Sequence, residues 1–203
     1  MTSKNTPQTP RERLLQTASR LFYAQGVANV GINEIIREAG IARMTLYYHF
    51  PSKEDLIREV LKMRVQDWQS AFVAAVESRA SDPEGQLLAV FDVLDAHISE
   101  PGFRGCSALN FSLEGPEPHE ALSEIARRHK SFVLGYLEKL ARRLPIRQPE
   151  ELARGLLLLH NGATVLARLG GEPYHAGDAC RAAKRLIHAY QEPQVRDAGG
   201  NRA

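Results

Sequence analysis

Residues 40–53, GIARMTLYYHFPSK, concentrate basic, phenolic, imidazole and hydroxyl groups in fourteen positions near the amino terminus. Such side chains match the two kinds of acceptor that DNA presents, phosphate oxygens and the edges of bases. Arg43, Met44 and Thr45 stand where a short helix would begin, so they could project onto base edges in a major groove about 12 Å wide. Three donors that suit phosphate oxygens follow them: Tyr47, Tyr48 and His49, with Lys53 a little further on.

The flanking sequence predicts helices that would hold this segment in place. A first amphipathic helix begins near Pro10, with Thr9 as its N-cap, and ends at Gly26. A second, shorter helix ends at Gly40, and a tight turn over residues 40–43 leads into a third helix of about 44–50. Two short helices joined in this way and braced by a third predict a helix-turn-helix, with Leu46 and Phe50 facing its core.

The rest of the chain is also helical, because no segment alternates convincingly with period two. Ser52 caps a long helix that continues to about Arg79 and would reach roughly 40 Å, enough to connect two modules. Asp82 and Pro83 mark the next start. Further helices are predicted at about 83–98, 106–113, 122–144, 149–169 and 176–190. The predicted fold class is all-α: three short helices, a connector and a larger helical body.

Charge and composition agree with a polyanionic partner for the first part of the chain. Residues 1–64 hold ten Lys/Arg against six Asp/Glu, whereas residues 65–203 hold sixteen against eighteen. The polar start lacks a signal-peptide core, and the most apolar run is too interrupted to cross a membrane. Nothing indicates secretion, so we expect a cytoplasmic protein with its two cysteines reduced.

Residues 21–61, LFYAQGVANVGINEIIREAGIARMTLYYHFPSKEDLIREVL, resemble the DNA-binding region of the TetR family of transcriptional regulators. The resemblance implies a homodimer that binds a roughly palindromic operator on double-stranded DNA, most often as a repressor, and leaves it when a small molecule occupies the helical body. It also implies four regions: a disordered tail at 1–9, the helix-turn-helix domain at 10–53, a ligand-binding and dimerisation domain at 54–190, and a disordered tail at 191–203.

The family's base-reading positions fall on Asn33, Arg43, Met44 and Thr45, and its phosphate-contacting positions on Tyr47, His49 and Lys53. Tyr48 is a further candidate for phosphate, with burial in the core as its alternative. Two positions depart from the family's pattern, since Gly31 and Ala42 stand where a capping hydroxyl is usual. The contacts that those hydroxyls would make are therefore not expected here.

The resemblance places a ligand pocket among the connector and the middle helices. Its candidate lining is Trp68, Phe72, Phe91, Phe103, Cys106, Asn110, Phe111, His129, Phe132 and Tyr136, each with ordinary core packing as the alternative. We expect the last two helices to form the dimer surface, or else to complete a monomer core. The residues that suggest this are small or aliphatic: Leu152, Gly155, Leu159, Gly162, Ala163, Leu166, Ala167, Ala179, Ala182, Ala183, Leu186 and Ile187.

Other kinds of function have less support in the sequence. Cys106 follows GFRG at a helix start, where a thiol could sense oxidants or electrophiles, so a thiol-based regulator is one alternative. An enzyme built on Cys106 and His129 lacks an orienting motif, and neither a phosphate-binding loop nor metal-ligand spacing is present, so we expect no cofactor. A helical adaptor would not need the donors at residues 43–49.

Overall fold

The computed structural model describes residues 8–114, 120–170 and 176–191. Within these ranges the predicted all-α fold is confirmed, because the chain forms helices and no strand. No helix in these ranges is both long and apolar enough to cross a lipid bilayer.

The expected tails lie outside the described residues at 1–7 and 192–203, and Gln191 ends the last helix. The helices are α1 (Pro10–Gln25), α2 (Ile32–Ala39), α3 (Arg43–His49), α4 (Lys53–Arg79), α5 (Pro83–Ile98), α6 (Ser107–Glu114), α7 (Glu120–Ala141), α8 (Pro149–Leu169) and α9 (Ala176–Gln191).

Side-chain caps fix the starts of the helices that position the amino-terminal region. The Thr9 hydroxyl accepts a hydrogen bond from the Glu12 amide at 3.2 Å, and the Glu12 carboxylate accepts one from the Thr9 amide at 2.8 Å. This reciprocal pair is a capping box, as the position of Thr9 before Pro10 suggested. The Ser52 hydroxyl likewise accepts a hydrogen bond from the Asp55 amide at 3.0 Å and starts α4.

The end of α7 differs from the sequence-based prediction, which extended this helix to Leu144. The helix ends at Ala141, and the Leu144 amide donates to the Ala141 carbonyl at 3.0 Å in a tighter turn. Pro145 explains the early end, because a proline disfavours helical backbone at the residue before it.

The buried side chains form two hydrophobic clusters, and α4 contributes to both. The first cluster joins α1, α2, α3 and the first turns of α4, where Leu56 and Leu61 are fully buried. It also takes in Ala108, Phe111 and Leu122 from α6 and α7. The second cluster joins the later part of α4 to α5, α7, α8 and α9. The core of the amino-terminal region therefore extends beyond residue 53, where the sequence analysis placed the domain boundary.

Candidate DNA-binding surface and internal cavity

Helix α3 is anchored by two side chains and turns the rest of its surface outward. Leu46 and Phe50 are almost fully buried in the first cluster, one helical turn apart. The turn before α3 depends on Gly40, whose φ of 61° lies in the left-handed region that favours glycine. Arg13 on α1 donates hydrogen bonds to the carbonyls of Ala39 and Gly40, so this turn is also tied to the first helix.

The outward surface of α3 carries large side chains that nothing in the described chain covers. Met44 is 80% exposed and Tyr48 is 84% exposed, which excludes the core alternative for Tyr48. Tyr47 is exposed as well, and the Arg43 guanidinium lies 5.9 Å from the centre of its ring. Thr45 and His49 are half-buried at the edges of this surface. A seven-residue helix that exposes such groups has the character of a binding surface.

Several cations of the amino-terminal helices have no carboxylate partner, and two of these, Arg13 and Arg64, donate to carbonyl or hydroxyl oxygens instead. Among the described residues up to Arg64, four cations form ion pairs with Glu or Asp: Arg11, Arg20, Arg58 and Lys62. Arg37, Arg43 and Lys53 have no carboxylate within 4.0 Å in the described chain. These three lie on α2, on α3 and at the start of α4, where phosphate oxygens could replace the missing partners.

The sequence analysis did not single out Arg37, although a signal for it was present. Asn33 and Arg37 are four residues apart on α2, so their side chains share one face of that helix, and both are exposed. Arg37 is therefore exposed on the face of α2 that carries a candidate base-reading residue.

The two departures from the family's pattern have a structural consequence. Neither α2 nor α3 has a side-chain cap, since Gly31 and Ala42 stand at their N-cap positions. The first amides of each helix therefore lack the acceptor that a capping hydroxyl would provide. Free amides at a helix N-terminus attract anions, so these ends can bind phosphate through the backbone.

A cavity of about 80 Å³, partly open to the surface, lies within the helical body and is bordered by residues of α4, α5, α7, α8 and of α6 with the loop before it. One water needs roughly 10–15 Å³ measured in this way, so the space exceeds a single water several-fold. Four of the predicted lining residues border it: Trp68, Phe103, Cys106 and His129. Trp68 and His129 meet edge to face, with their ring centres 4.9 Å apart.

The other six predicted lining residues do not border this cavity. Phe91 is fully buried in the second cluster, and Phe111 packs edge to face on Phe22 at 6.1 Å in the first. The Asn110 side-chain amide donates to the Arg104 carbonyl at 2.7 Å. The remaining three belong to the second cluster or pack against it: Phe72, Phe132 and Tyr136. For the five aromatic residues the alternative of ordinary core packing describes what is seen, whereas Asn110 on α6 bonds the loop before that helix.

The polar part of the cavity wall includes residues that the sequence analysis did not assign to it, namely Arg64, His97, Lys130 and His160. His160 is only 6% exposed, and neither of its ring nitrogens has a hydrogen-bond partner in the described chain. Burial lowers the pKa of His160 to about 3, with a further contribution from the charge of Lys130. Burial also lowers the pKa of His129 to about 4, again with help from Lys130. Both imidazoles are therefore neutral at pH 7.

Arg64 connects the cavity to the amino-terminal helices. Its Nη1 donates to the Ser19 hydroxyl of α1 and its Nε to the Ser107 hydroxyl of α6, both at 3.0 Å. The guanidinium also stacks over the Tyr23 ring, with its central carbon 4.2 Å from the ring centre. Tyr23 in turn accepts a hydrogen bond from the Arg104 amide at 2.8 Å, in the loop before α6. One half-buried cation therefore contacts the cavity, α1 and α6.

Two further features bear on the alternatives. In the described ranges no group of three or more His, Cys, Asp or Glu side chains could hold a metal ion. Cys106 and Cys180 are both free thiols. Cys106 is half-buried and stands immediately before α6, where it borders the cavity.

Comparison with known proteins identifies relatives of this chain. A family model for bacterial regulatory proteins of the tetR family matches residues 14–60. The HTH-type transcriptional regulator LmrA of Bacillus subtilis is 32% identical over 136 residues, which is 64% of this chain and 70% of LmrA. The HTH-type transcriptional regulator EthR of Mycolicibacterium smegmatis is 32% identical over 97 residues, but the match spans only 41% of this chain and 45% of EthR.

A solved structure extends the similarity to nearly the whole fold. The crystal structure of a TetR-family transcriptional regulator from Streptomyces coelicolor superposes with a TM-score of 0.82 and 31% sequence identity. The superposition covers 90% of this chain and 96% of that protein. The similarity therefore includes the helical body as well as the amino-terminal helices.

Proposed function

This chain belongs to the TetR family of bacterial transcriptional regulators, and from that premise we propose that it binds a roughly palindromic operator as a homodimer and leaves it when a small molecule occupies the internal cavity. Like its relatives it is a DNA-binding regulator of transcription and not an enzyme. We expect repression as its mode of action, and the cytoplasm as its location because operator DNA is there.

The exposed surface of α3 is the main evidence for the proposed operator contacts. Arg43, Met44 and Thr45 begin the helix and would meet base edges in the major groove, together with Asn33 of α2. Tyr47, Tyr48, His49 and Lys53 would contact phosphates, and the free cation of Arg37 joins them. Buried Leu46 and Phe50 fix the orientation of α3, so these side chains are presented on a rigid element.

An apolar stripe along α8 supports the homodimer. Leu158, Val165 and Leu169 are exposed at spacings of seven and four residues, which places them on one face of the helix. Gly162 lies on the same face, and a Cβ added there would meet no atom within 4 Å, so a second helix could approach closely. Such a stripe on the surface of a protomer is typical of a subunit interface.

This stripe differs in part from the dimer surface that the sequence analysis predicted on the last two helices. Five of the small or aliphatic residues assigned there are buried within the protomer: Leu152, Ala163, Ala179, Ala183 and Ile187. Gly155 packs against Leu186 of α9, since a Cβ added at Gly155 would lie 2.8 Å from a Leu186 methyl carbon. These residues join α8 to α9 inside one protomer and are not available to a partner subunit.

The contacts of Arg64 support the proposal that a ligand in the cavity changes DNA binding. A molecule that enters the cavity meets a guanidinium that is hydrogen-bonded to Ser19 of α1. Any movement of Arg64 therefore changes a contact of the amino-terminal helices, and in a dimer this would alter the spacing of the two α3 helices.

Gel-shift titration with DNA flanking the protein's own gene, repeated across salt concentrations, tests the function. We expect specific binding that weakens steeply as salt rises. Arg43→Ala should cost about 1–3 kcal/mol of specific binding and relax base preference at one position. Arg79→Ala, at the far end of α4, removes the same charge and should have little effect. Unchanged operator affinity and base preference in Arg43→Ala would contradict the assigned role.

The free thiol of Cys106 at the cavity wall supports a second candidate signal. In this alternative the protein releases DNA after oxidation or alkylation of Cys106. Alkylation should then lower operator affinity in the wild type but not in Cys106→Ser. Loss of affinity in both proteins, or in neither, would exclude Cys106 as the sensor.

A further inference from the structure

The charged groups that border the internal cavity are all basic. Arg64 and Lys130 supply two cations, three histidines stand beside them, and no Asp or Glu belongs to the wall. Lys130 donates to the Asn161 side-chain oxygen at 2.6 Å, a neutral acceptor, and has no carboxylate within 4.0 Å in the described chain. The cavity therefore presents positive charge that no acidic side chain of the wall compensates.

Two cations beside a largely apolar wall are unfavourable unless an opposite charge accompanies them. Removing a cation from water is unfavourable unless an opposite charge or several hydrogen bonds replace the lost hydration. Burial lowers the pKa of Arg64, and although the charge of Asp67 opposes this shift, no ion pair joins the two residues. Two of the guanidinium nitrogens donate to serine hydroxyls, while Nη2 has no hydrogen-bond acceptor among the described residues.

His160 gives an independent indication of a missing ligand. It is nine-tenths buried at the cavity wall, and neither ring nitrogen has a hydrogen-bond partner within 3.5 Å in the described chain, although the Asn161 side chain is close enough to act on the pKa of His160. Buried polar groups in native proteins almost always have a hydrogen-bond partner, so an unpaired one calls for an explanation. A neutral imidazole has one N–H, and the acid group of a ligand could accept that hydrogen bond.

The remaining wall of the cavity is apolar. Trp68 and Phe103 contribute rings, and Val65 and Leu94 contribute aliphatic surface. A fully hydrated inorganic ion would leave this surface without contacts, whereas an apolar body would cover it.

We propose that the effector of this regulator is a small organic anion, with its acid group bound by Arg64 and Lys130 and its apolar body against Trp68 and Phe103. This inference rests on the proposed function, because it takes the cavity to be the effector site. It also deepens that function. An acid group that engages the free Nη2 of Arg64 pulls on a guanidinium whose Nη1 is hydrogen-bonded to Ser19, and so disturbs a contact of α1.

Calorimetric titration of the full-length protein with matched aromatic probes tests the proposal. Benzoate and phenylacetate carry the acid group, benzamide is a neutral analogue of benzoate, and benzylamine carries the opposite charge. We expect the two anions to bind at least about tenfold more tightly than benzamide, and benzylamine not to bind. Lys130→Gln should weaken benzoate binding about tenfold. Lys139→Gln changes the same charge at an exposed position of the same helix and should leave binding unchanged.

Equal affinity for benzamide and benzoate would overturn the proposal, as would the absence of anion binding at millimolar concentration. If inorganic phosphate binds as tightly as benzoate, the proposed contact of an apolar ligand body with Trp68 and Phe103 is wrong. Operator binding by the protein without probes is measured separately. If the protein binds no operator, the proposed function fails whatever the calorimetry shows. If operator binding is intact and benzoate does not bind, only the anion inference fails.

Discussion

At the scale of single residues, His160 shows how much the environment of a side chain decides. Its ring is buried, its nitrogens lack partners in the described chain, and Lys130 places a positive charge near it. Burial, with the charge of Lys130, lowers the pKa of His160 to about 3, so the native state keeps it neutral where the unfolded chain would protonate it.

This shift predicts acid sensitivity. An unfolded histidine titrates near about 6.5. The contribution of neutral His160 to stability is therefore complete above that pH and is lost progressively as pH falls toward about 3. From pH 7 to pH 5 the loss for this residue is about 2 kcal/mol. Urea unfolding at fixed protein concentration should show a smaller loss over that interval in His160→Leu than in the wild type. Replacement of exposed His188 by Gln is the comparison variant, and an identical pH dependence in His160→Leu and the wild type would refute the shift.

At the scale of elements, α4 determines how the two halves of the molecule are connected. Its 27 residues span roughly 40 Å, with Leu56 and Leu61 in the first cluster and Phe72 in the second. Arg64 lies near its middle and holds α1 and α6 by hydrogen bonds. The short helix α3, by contrast, has no side-chain cap and depends on Leu46 and Phe50 for its position.

Shortening the Arg64 side chain tests its connecting role. Lysine lacks the guanidinium fork that reaches both Ser19 and Ser107, so Arg64→Lys should loosen α1 at its carboxyl end. Hydrogen exchange of the amides over residues 19–25 should then be faster, because local opening costs less free energy. Arg58→Lys, whose native ion pair with Asp55 is local to α4, serves as the control. Unchanged exchange over 19–25 in Arg64→Lys would show that the Arg64 contacts do not restrain α1.

A cap added to α3 should stabilise the protein. Ala42 stands at the N-cap with extended backbone, φ −68° and ψ 147°, which is the conformation that a capping serine adopts. Ala42→Ser should raise the free energy of unfolding by about 1 kcal/mol, measured by urea denaturation. The same substitution at exposed Ala74, inside α4, provides no cap and should destabilise slightly. A loss of stability in Ala42→Ser would mean that the turn cannot admit the hydroxyl.

At the scale of the whole molecule, a single protomer leaves an apolar stripe on α8 in contact with solvent. Leu158 is 73% exposed and Leu169 is 75% exposed. Their common face, with Gly162 between them, gives a second copy of the chain a surface to pack against. DNA binding to a palindrome would need this association, because each protomer presents one α3.

A charge placed in the stripe should separate the subunits. Leu158→Glu would bury a carboxylate against apolar surface, which is unfavourable without a partner. Light scattering at micromolar concentration should give a dimer for the wild type and a monomer for Leu158→Glu. Leu113→Glu makes the same change at a side chain that is 71% exposed on α6, outside the stripe, and should remain dimeric. A dimeric Leu158→Glu would place the subunit interface elsewhere.

Signals within a few residues of each other made most of the fold predictable. Thr9 with Glu12, Ser52 with Asp55 and the glycines at 26 and 40 mark helix ends through contacts with their own neighbours. The exposed helix α3 was predictable for the same reason, since the turn, anchors and donors of segment 40–53 are consecutive in sequence.

The cavity and the outward face of α8 were decided by tertiary structure. Arg64, Lys130 and His160 come from three different helices, and each alone resembles an ordinary surface or core residue. The sequence likewise showed that α8 and α9 are rich in small and aliphatic residues, but Ala163 and Ala183 proved to be buried within the protomer while Leu158 is exposed. Helical periodicity specifies which residues share a face, whereas the element that covers that face depends on how all the helices pack together.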